Sequence, residues 1–362
     1  MPCVHLGSSC STCHALPARL PSDGRLYLFM PSDLTWIKLR KALEPITELE
    51  SPLERCLGLH LQAENVLALV GAIEASLSEL ELTHARGLLK GLDEPPSLVD
   101  VSAVSPLREL LARFKSGWLT ELLEAERLTS HFQPIVSAKR PEQVFAYEAL
   151  LRGLSETGQI VPPDRLFGSA RDAGLLPQLD LAARRTAMRE AARFERVERV
   201  FININPAAIY DPRHCLSATL DLVGSLSHDR IVIEIVESDR VEHSGHLHAL
   251  VDAFRDQGFG IALDDFGSGY SSLNLLHELR PDFLKLDRKL VQAVHQDRYK
   301  ALIVEHLLEL TRRLGIRTIA EGIEEAAEWR WVQAHGADFV QGYLFGRPAS
   351  PPPVPAQLPV GP

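Results

Sequence analysis

The chain has 362 residues, 45% hydrophobic and 24% charged, ordinary proportions for a globular protein with a sizeable core: one large domain plus a smaller one, or two ordinary domains. With 38 basic against 48 acidic residues the net charge is −10. That excludes a surface made to coat DNA or RNA, but a small phosphate substrate stays compatible because a bound cation reverses the local field. No apolar run approaches bilayer length, and Met1 to Cys13 lacks a basic start and an apolar core. A cytoplasmic protein without a membrane segment is expected, its five cysteines serving as thiols or metal ligands rather than disulfides.

Residues 1–115 form a first zone with four of the five cysteines, read as a smaller, mixed or mostly helical regulatory domain. Cys10-Ser-Thr-Cys13-His14 matches the c-type haem attachment pattern, but that attachment needs export. A zinc or iron–sulfur site on Cys3, Cys10 and Cys13, with Cys56 as a further donor, is the alternative to free thiols in a flexible start. Leu26 to Phe29 reads as a strand. Thr35 to Leu43 and Glu64 to Lys90 carry Leu, Val and Ala at helical spacing. The stretch Asp93-Glu-Pro-Pro-Ser97 reads as a loop, and Pro106 to Glu126 as a connecting helical segment.

From 116 to 348 short apolar runs alternate with amphipathic ones. The expected strands are Ser130–Val136, Val144–Leu151, Val200–Asn205, Ile231–Val236, Phe259–Leu263, Phe283–Leu286, Arg317–Ala320 and Phe339–Gly342. Helical patterns lie between most of them, among them Leu179–Phe194, Leu247–Gln257, Lys300–Leu314 and Glu325–His335. Eight such strands predict an α/β fold, a closed parallel (β/α)8 barrel of the TIM type. Nothing resembles the glycine loop of a dinucleotide-binding sheet. Residues 349–362 read as a proline-rich disordered tail.

Polar residues recur in or just after these strands: Glu148, Asn203, Glu234, Glu237, Asp264, Asp265, Lys285, Glu321 and Gln341. Strands buried on both faces should be apolar, and a buried carboxylate is costly unless compensated. In a barrel all these strand ends meet at one face. Carboxylates about 4 Å apart repel by roughly 1–4 kcal/mol per pair at effective dielectrics of 80 to 20. One lysine cannot balance them all; protonation or divalent cations could. Oxygen donors and an Asn amide suit Mg²⁺ or Mn²⁺ better than zinc. Asp264 and Asp265 suit two ions sharing a carboxylate, an arrangement used in phosphate-ester hydrolysis, with Lys285 near the nucleophile or phosphate. Taken singly, each residue has a plainer reading: a structural salt bridge for Glu148 or Glu234, a helix cap for Asp264-Asp265, a solvated lysine, an ordinary turn at Gly267-Ser-Gly269. The cluster His243-Ser-Gly-His246-Leu-His248 reads as an exposed loop rather than a zinc site.

The segment Tyr147-Glu-Ala-Leu-Leu-Arg152 resembles the signature of EAL domains, the cyclic di-GMP phosphodiesterases named for that Glu-Ala-Leu. The resemblance continues, in order, through Phe201-Ile-Asn-Ile-Asn-Pro206, Ile233-Glu-Ile-Val-Glu-Ser238, Leu263-Asp-Asp-Phe-Gly-Ser-Gly-Tyr-Ser-Ser-Leu273, Phe283-Leu-Lys-Leu-Asp287, Ile319-Ala-Glu-Gly-Ile-Glu324 and Val340-Gln-Gly-Tyr-Leu-Phe-Gly-Arg-Pro348. It implies a homodimeric barrel enzyme that opens cyclic di-GMP to linear pGpG. It further implies Glu148, Asn203, Glu234 and Asp264 as ligands of one metal, and Asp264, Asp265 and Glu321 as ligands of a second. Lys285 would hold the attacking water and Gln341 complete the hydrogen bonding. Gln133 and Arg152 would touch substrate, and Glu237 would anchor the loop Asp265 to Ser272. The departures are small: Asn205 and Ser268 stand where Ser and Thr are common. A catalytically silent receptor is the alternative, but such a protein would lack metal ligands, and none is missing.

Overall fold

The computed structural model describes residues 16, 23–92, 94, 96–209, 211–223, 227–236, 244–267 and 272–355. Contacts divide the chain into two compact units, one of residues 16–126 with 164–179, the other of 127–163 with the chain from 180 on. By contacts, residues 116–126 and 164–179 group with the first unit.

The first unit is a five-stranded antiparallel sheet with helices. Its strands are β1 (Asp23–Phe29), β2 (Leu49–Glu50), β3 (Cys56–Gln62), β4 (Arg86–Lys90) and β5 (Ser105–Pro106), in the order β2-β3-β1-β4-β5. The helices are α1 (Asp33–Leu43), α2 (Val66–Ser76), α3 (Glu79–His84), α4 (Leu107–Lys115) and α5 (Gly117–Glu124). One sheet face, including Leu26, Leu28, Leu57, Leu59 and Leu61, is buried with Leu39, Leu43, Leu69, Val70 and Ile73 from α1 and α2. The single helix expected over Glu64–Lys90 is two short helices and a strand. Ser78 caps α3 in a reciprocal box with Glu81, which starts a new helix where α2 has ended. Cys56 is fully buried on β3, where burial pushes its thiol up to about 11. A protonated thiol inside a sheet does not fit the metal donor considered for it. Cys3, Cys10 and Cys13 lie outside the described residues.

The second unit is the barrel: β6 (Leu128–Ser137), β7 (Val144–Leu154), β9 (Val200–Ile204), β10 (Ile231–Val236), β11 (Gly260–Phe266), β12 (Phe283–Leu286), β13 (Arg317–Ala320) and β14 (Phe339–Gln341), with β8 (Ile160–Val161) as a short extra strand on β7. Pairing of β6 with both β14 and β7 closes it. Between β8 and β9 come α6 (Pro163–Asp172), which groups with the first unit, and α7 (Leu176–Ala191); the other connecting helices are α8 (Pro212–Val223), α9 (Ser244–Asp256), α10 (Ser272–Leu279), α11 (Arg288–Val291), α12 (Arg298–Leu314) and α13 (Ala326–Ala334). The eight expected strands are all present, with one departure: β6 runs antiparallel to both neighbours. Runs such as Ile231-Val-Ile are buried on both faces, as β-branched residues in a helix-covered sheet should be.

Phe145, Phe201, Phe283 and Phe339 plug the barrel at the strand starts, with Phe145 and Phe339 stacked at 3.9 Å. This apolar floor leaves the polar residues to the opposite end. The proline-rich tail is not disordered through 349–355. Phe132 and Ala349 exchange backbone hydrogen bonds at 2.8 and 3.1 Å, and the Tyr147 hydroxyl donates to the Pro353 carbonyl at 2.9 Å. Residues 356–362 lie outside the described set. His246 and His248 stand on α9, not in a loop. Two positions apart on a helix they point in different directions; His243 is not among the described residues.

Candidate active site at the carboxyl ends of the strands

Each strand brings one polar side chain to the same end of the barrel. Gln133 on β6 faces Glu148 on β7, and Asn203 on β9 is in register with Glu234 on β10. Lys285 is the penultimate residue of β12, Glu321 follows β13, and Gln341 ends β14. Asp264 and Asp265 are adjacent on β11, where regular pleating would send them to opposite faces. The β11–β12 register shifts between Leu263 and Phe266, and Asp265 takes a left-handed φ of 54°. This bulge turns both carboxylates to one site.

Lys285 is the hub and is 1% exposed. Its Nζ lies 2.7 Å from Glu234 Oε1, 2.8 Å from Glu321 Oε1, 3.2 Å from Asp264 Oδ1 and 3.5 Å from Glu148 Oε2. The Glu234 contact is the shortest of the four. Asn203 Nδ2 donates to Glu148 Oε1 at 3.2 Å and to Glu234 Oε2 at 3.0 Å. Gln341 Nε2 donates to Glu148 Oε2 at 2.6 Å and to Gln133 Oε1 at 3.2 Å, while Gln133 Nε2 donates to the Gly346 carbonyl at 3.2 Å. A side chain on Gly342 would overlap the backbone of Ile323, so glycine lets the chain after Gln341 pass close by.

Burial raises the Glu234, Glu321 and Asp264 carboxyls. Lys285 pulls all three down, and neighbouring carboxylates push them up again. Burial together with the Asp264 charge lifts Asp265 to about 6. Burial alone would lower Lys285, but Asp264, Glu148, Glu234 and Glu321 outweigh it and hold the ammonium well above its usual range. One lysine thus faces more acid than it can neutralise, which favours the protonated form of the surplus carboxyls.

Two groups of ligand atoms lie within 4.8 Å of one another, Glu148 with Glu234 and Asp264, and Asp264 with Asp265 and Glu321. They share Asp264, and every donor is a carboxylate oxygen. Such a set fits hard divalent cations, which would take the place of the protons. Asn203 could add a donor only with its amide turned to present oxygen rather than NH₂, an exchange of two nearly isosteric atoms.

Of the residues singled out from sequence, Glu148, Asn203, Glu234, Asp264, Asp265, Lys285, Glu321, Gln341 and Gln133 thus gather at one place. Arg152 stands four residues past Glu148 on the same face of β7, its guanidinium donating to the Leu151 carbonyl at 2.7 Å. Glu237 lies outside the described residues. Sequence reading missed Asp180, whose carboxylate accepts the Asn205 amide at 2.8 Å. The available signal was the helical i,i+4 spacing of Asp180 and Arg184, which looks like an ordinary surface pair.

Comparison with known proteins agrees with this architecture. Cyclic di-GMP phosphodiesterase NbdA of Pseudomonas aeruginosa is 30% identical over 241 residues, 64% of this chain and 30% of that one. Probable cyclic di-GMP phosphodiesterase PdeN of Escherichia coli is 29% identical over 231 residues, 62% of this chain and 44% of that one. The chain thus spans less than half the length of these curated relatives. A crystal structure of a standalone versatile EAL protein from Vibrio cholerae O395 in its c-di-GMP bound form is 34% identical, with a TM-score of 0.59 over 63% of this chain and 95% of that one. Klebsiella pneumoniae BlrP1, in a manganese/cy-diGMP complex, covers 90% of this chain and 96% of its own at 24% identity and a TM-score of 0.55, a likeness of fold alone. No helix among the described residues is long and apolar enough to cross a membrane. The model of the EAL domain matches residues 116–348, nearly two thirds of the sequence, and the chain belongs to that family.

Proposed function

We propose that this chain hydrolyses one phosphodiester of cyclic di-GMP to give linear pGpG, using two Mg²⁺ or Mn²⁺ ions, under control of its amino-terminal unit. The carrying observation is the pair of carboxylate groups that share Asp264 and surround Lys285 above a plugged barrel. Glu148, Asn203, Glu234 and Asp264 would hold one ion, and Asp264, Asp265 and Glu321 the other. Such ions supply an activated water near neutral pH and neutralise the phosphate oxygens as charge builds.

The chain's own groups do the rest. The Lys285 ammonium donates to the attacking water or to a phosphate oxygen, and its raised pKa keeps it charged. Gln341 and Asn203 hold the two Glu148 oxygens from opposite sides, fixing that carboxylate's plane. Arg152 reaches the substrate phosphates through paired hydrogen bonds, Gln133 contacts substrate beside Glu148, and Glu237 anchors the loop from Asp265 to Ser272. A homodimer through the barrel belongs to the same reading, and light scattering of the eluted protein tests it.

The deciding assay incubates the protein with cyclic di-GMP and Mg²⁺ or Mn²⁺ and separates pGpG by chromatography. Turnover is expected, and Glu148→Ala should lower it about a hundred- to a thousandfold, the scale seen when a group central to electrostatic stabilisation is lost. Tight binding without turnover would make the protein a receptor. A Glu148→Ala protein with near-normal rate would overturn the ligand assignment.

A further inference from the structure

The second unit contains a fully buried ion pair whose side chains lie outside the carboxylate cluster. Asp180 and Arg184, one turn apart on α7, are each 3% exposed. Asp180 Oδ2 accepts from Arg184 Nε at 3.0 Å and lies 3.0 Å from its NH2 in the ion pair. The guanidinium donates through NH1 to the Thr219 hydroxyl on α8, and that hydroxyl donates to the Cys215 carbonyl at 2.8 Å. The remaining Asp180 oxygen, Oδ1, accepts the Asn205 backbone N–H at 2.8 Å.

The last bond matters because of where β9 loses its neighbours. Its ladder with β7 stops at Ile202, and its ladder with β10 stops at Ile204. Asn203 therefore stands where the strand is already held from one side only. Asn205, the first residue beyond both ladders, donates its N–H to Asp180, and its side-chain oxygen accepts from the Ala207 N–H at 2.9 Å. The chain then turns away at Pro206. Asn203 in turn spans Glu148 and Glu234 with one amide nitrogen, at 3.2 and 3.0 Å. A displacement of a few tenths of an ångström at this strand end would cost one of those bonds.

We infer that Asp180, oriented by Arg184, is a positioning residue for Asn203: it extends the fixed part of β9 past the end of its ladders and so sets the geometry of the first ion site. The inference rests on the metal-binding reading proposed above. Stability alone is a weak reason for such a pair, since buried ion pairs are replaceable by apolar residues of similar volume with little loss. Partners that orient a metal ligand, by contrast, commonly change metal affinity 10–100-fold when removed.

Two double variants test this on the full-length protein. Asp180→Leu/Arg184→Met removes the acceptor of the Asn205 N–H and keeps the volume. Asp180→Asn/Arg184→Gln keeps an oxygen for that N–H. Mn²⁺ and Mg²⁺ affinity is measured by calorimetry without substrate, alongside circular dichroism and melting. The apolar pair should stay folded and bind the ions 10–100-fold more weakly, and the amide pair should stay within about threefold of wild type. If the apolar pair does not fold, Asp180→Ser takes its place, the serine side chain being too short to reach Asn205. A folded variant without the acceptor that binds the ions like wild type overturns the inference, as does an amide pair that loses as much affinity as the apolar one. Wild-type protein that binds neither ion would sink the functional reading instead.

Discussion

Replacing Lys285 by Met, which keeps the stem and deletes the ammonium, probes the charge balance of the site directly. At an effective dielectric near 20, a full charge 2.7 Å from another is attracted by about 6 kcal/mol, and one 3.5 Å away by about 5 kcal/mol. These are gross figures, because burying the lysine costs several kcal/mol and the carboxyls around it are not all ionised. Breaking a buried pair typically leaves a net loss of 3–5 kcal/mol, and that is the loss expected near pH 8 without divalent ions. The penalty should shrink as pH falls. Without the ammonium, the folded variant must take up a proton that the unfolded chain does not bind above pH 6, so its stability falls as pH rises. One extra proton amounts to about 1.4 kcal/mol per pH unit, so the gap to wild type should narrow by about 2.7 kcal/mol between pH 8 and pH 6. Urea unfolding in chelator measures this in a Trp36→Phe/Trp118→Phe background, which leaves Trp329 and Trp331 to report on the barrel. A loss below about 1 kcal/mol, or an equal loss at both pH values, would refute the charge balance described here.

Ion binding should itself depend on pH. Asp265, raised to about 6, is protonated at pH 5 and must give up that proton to act as a ligand, so affinity should fall toward about tenfold per unit below pH 6. Calorimetry in buffers of different ionisation heat would show the released proton, and an affinity unchanged from pH 5 to 7 would contradict it. Gly342→Ala should destabilise the barrel by about 1–3 kcal/mol and depress turnover, because its Cβ would overlap the Ile323 backbone; an unchanged melting temperature would refute the close approach. Cys56 should resist iodoacetamide at pH 8 in the native protein and react on unfolding, since its thiol is buried and raised to about 11. Peptide mapping by mass spectrometry reads the outcome, and native-state labelling would place it outside the sheet.

What the residue order disclosed, and what it hid, follows from which interactions are local. Barrel strands such as Ile231-Val-Ile-Glu-Ile-Val236 are apolar runs interrupted by one polar residue, and that interruption is legible because a buried carboxylate has no structural excuse. The direction of β6 was not legible, because an apolar run reads alike whether its neighbours run with it or against it. In the first unit only β1 was expected: Leu57, Leu59 and Leu61 of β3 alternate with period two, a signal that was passed over, and β4 is Arg-Gly-Leu-Leu-Lys, too short and too poor in β-branched residues to stand out from the helical text before it. The proline-rich tail misled for a related reason: proline lacks a donor but keeps its carbonyl, so Pro353 can still accept from Tyr147. Asp264-Asp265 shows the limit most clearly. Composition pointed to two carboxylates serving one site, while strand periodicity denied it to one of them. Only the shifted register between Leu263 and Phe266 reconciles the two, and that shift depends on β12, some twenty residues away. Asp180 is the same lesson from outside the site: on its helix it is one half of an i,i+4 pair, and its bearing on Asn203 exists only once β9 has been laid beside β10 and has run out of ladder.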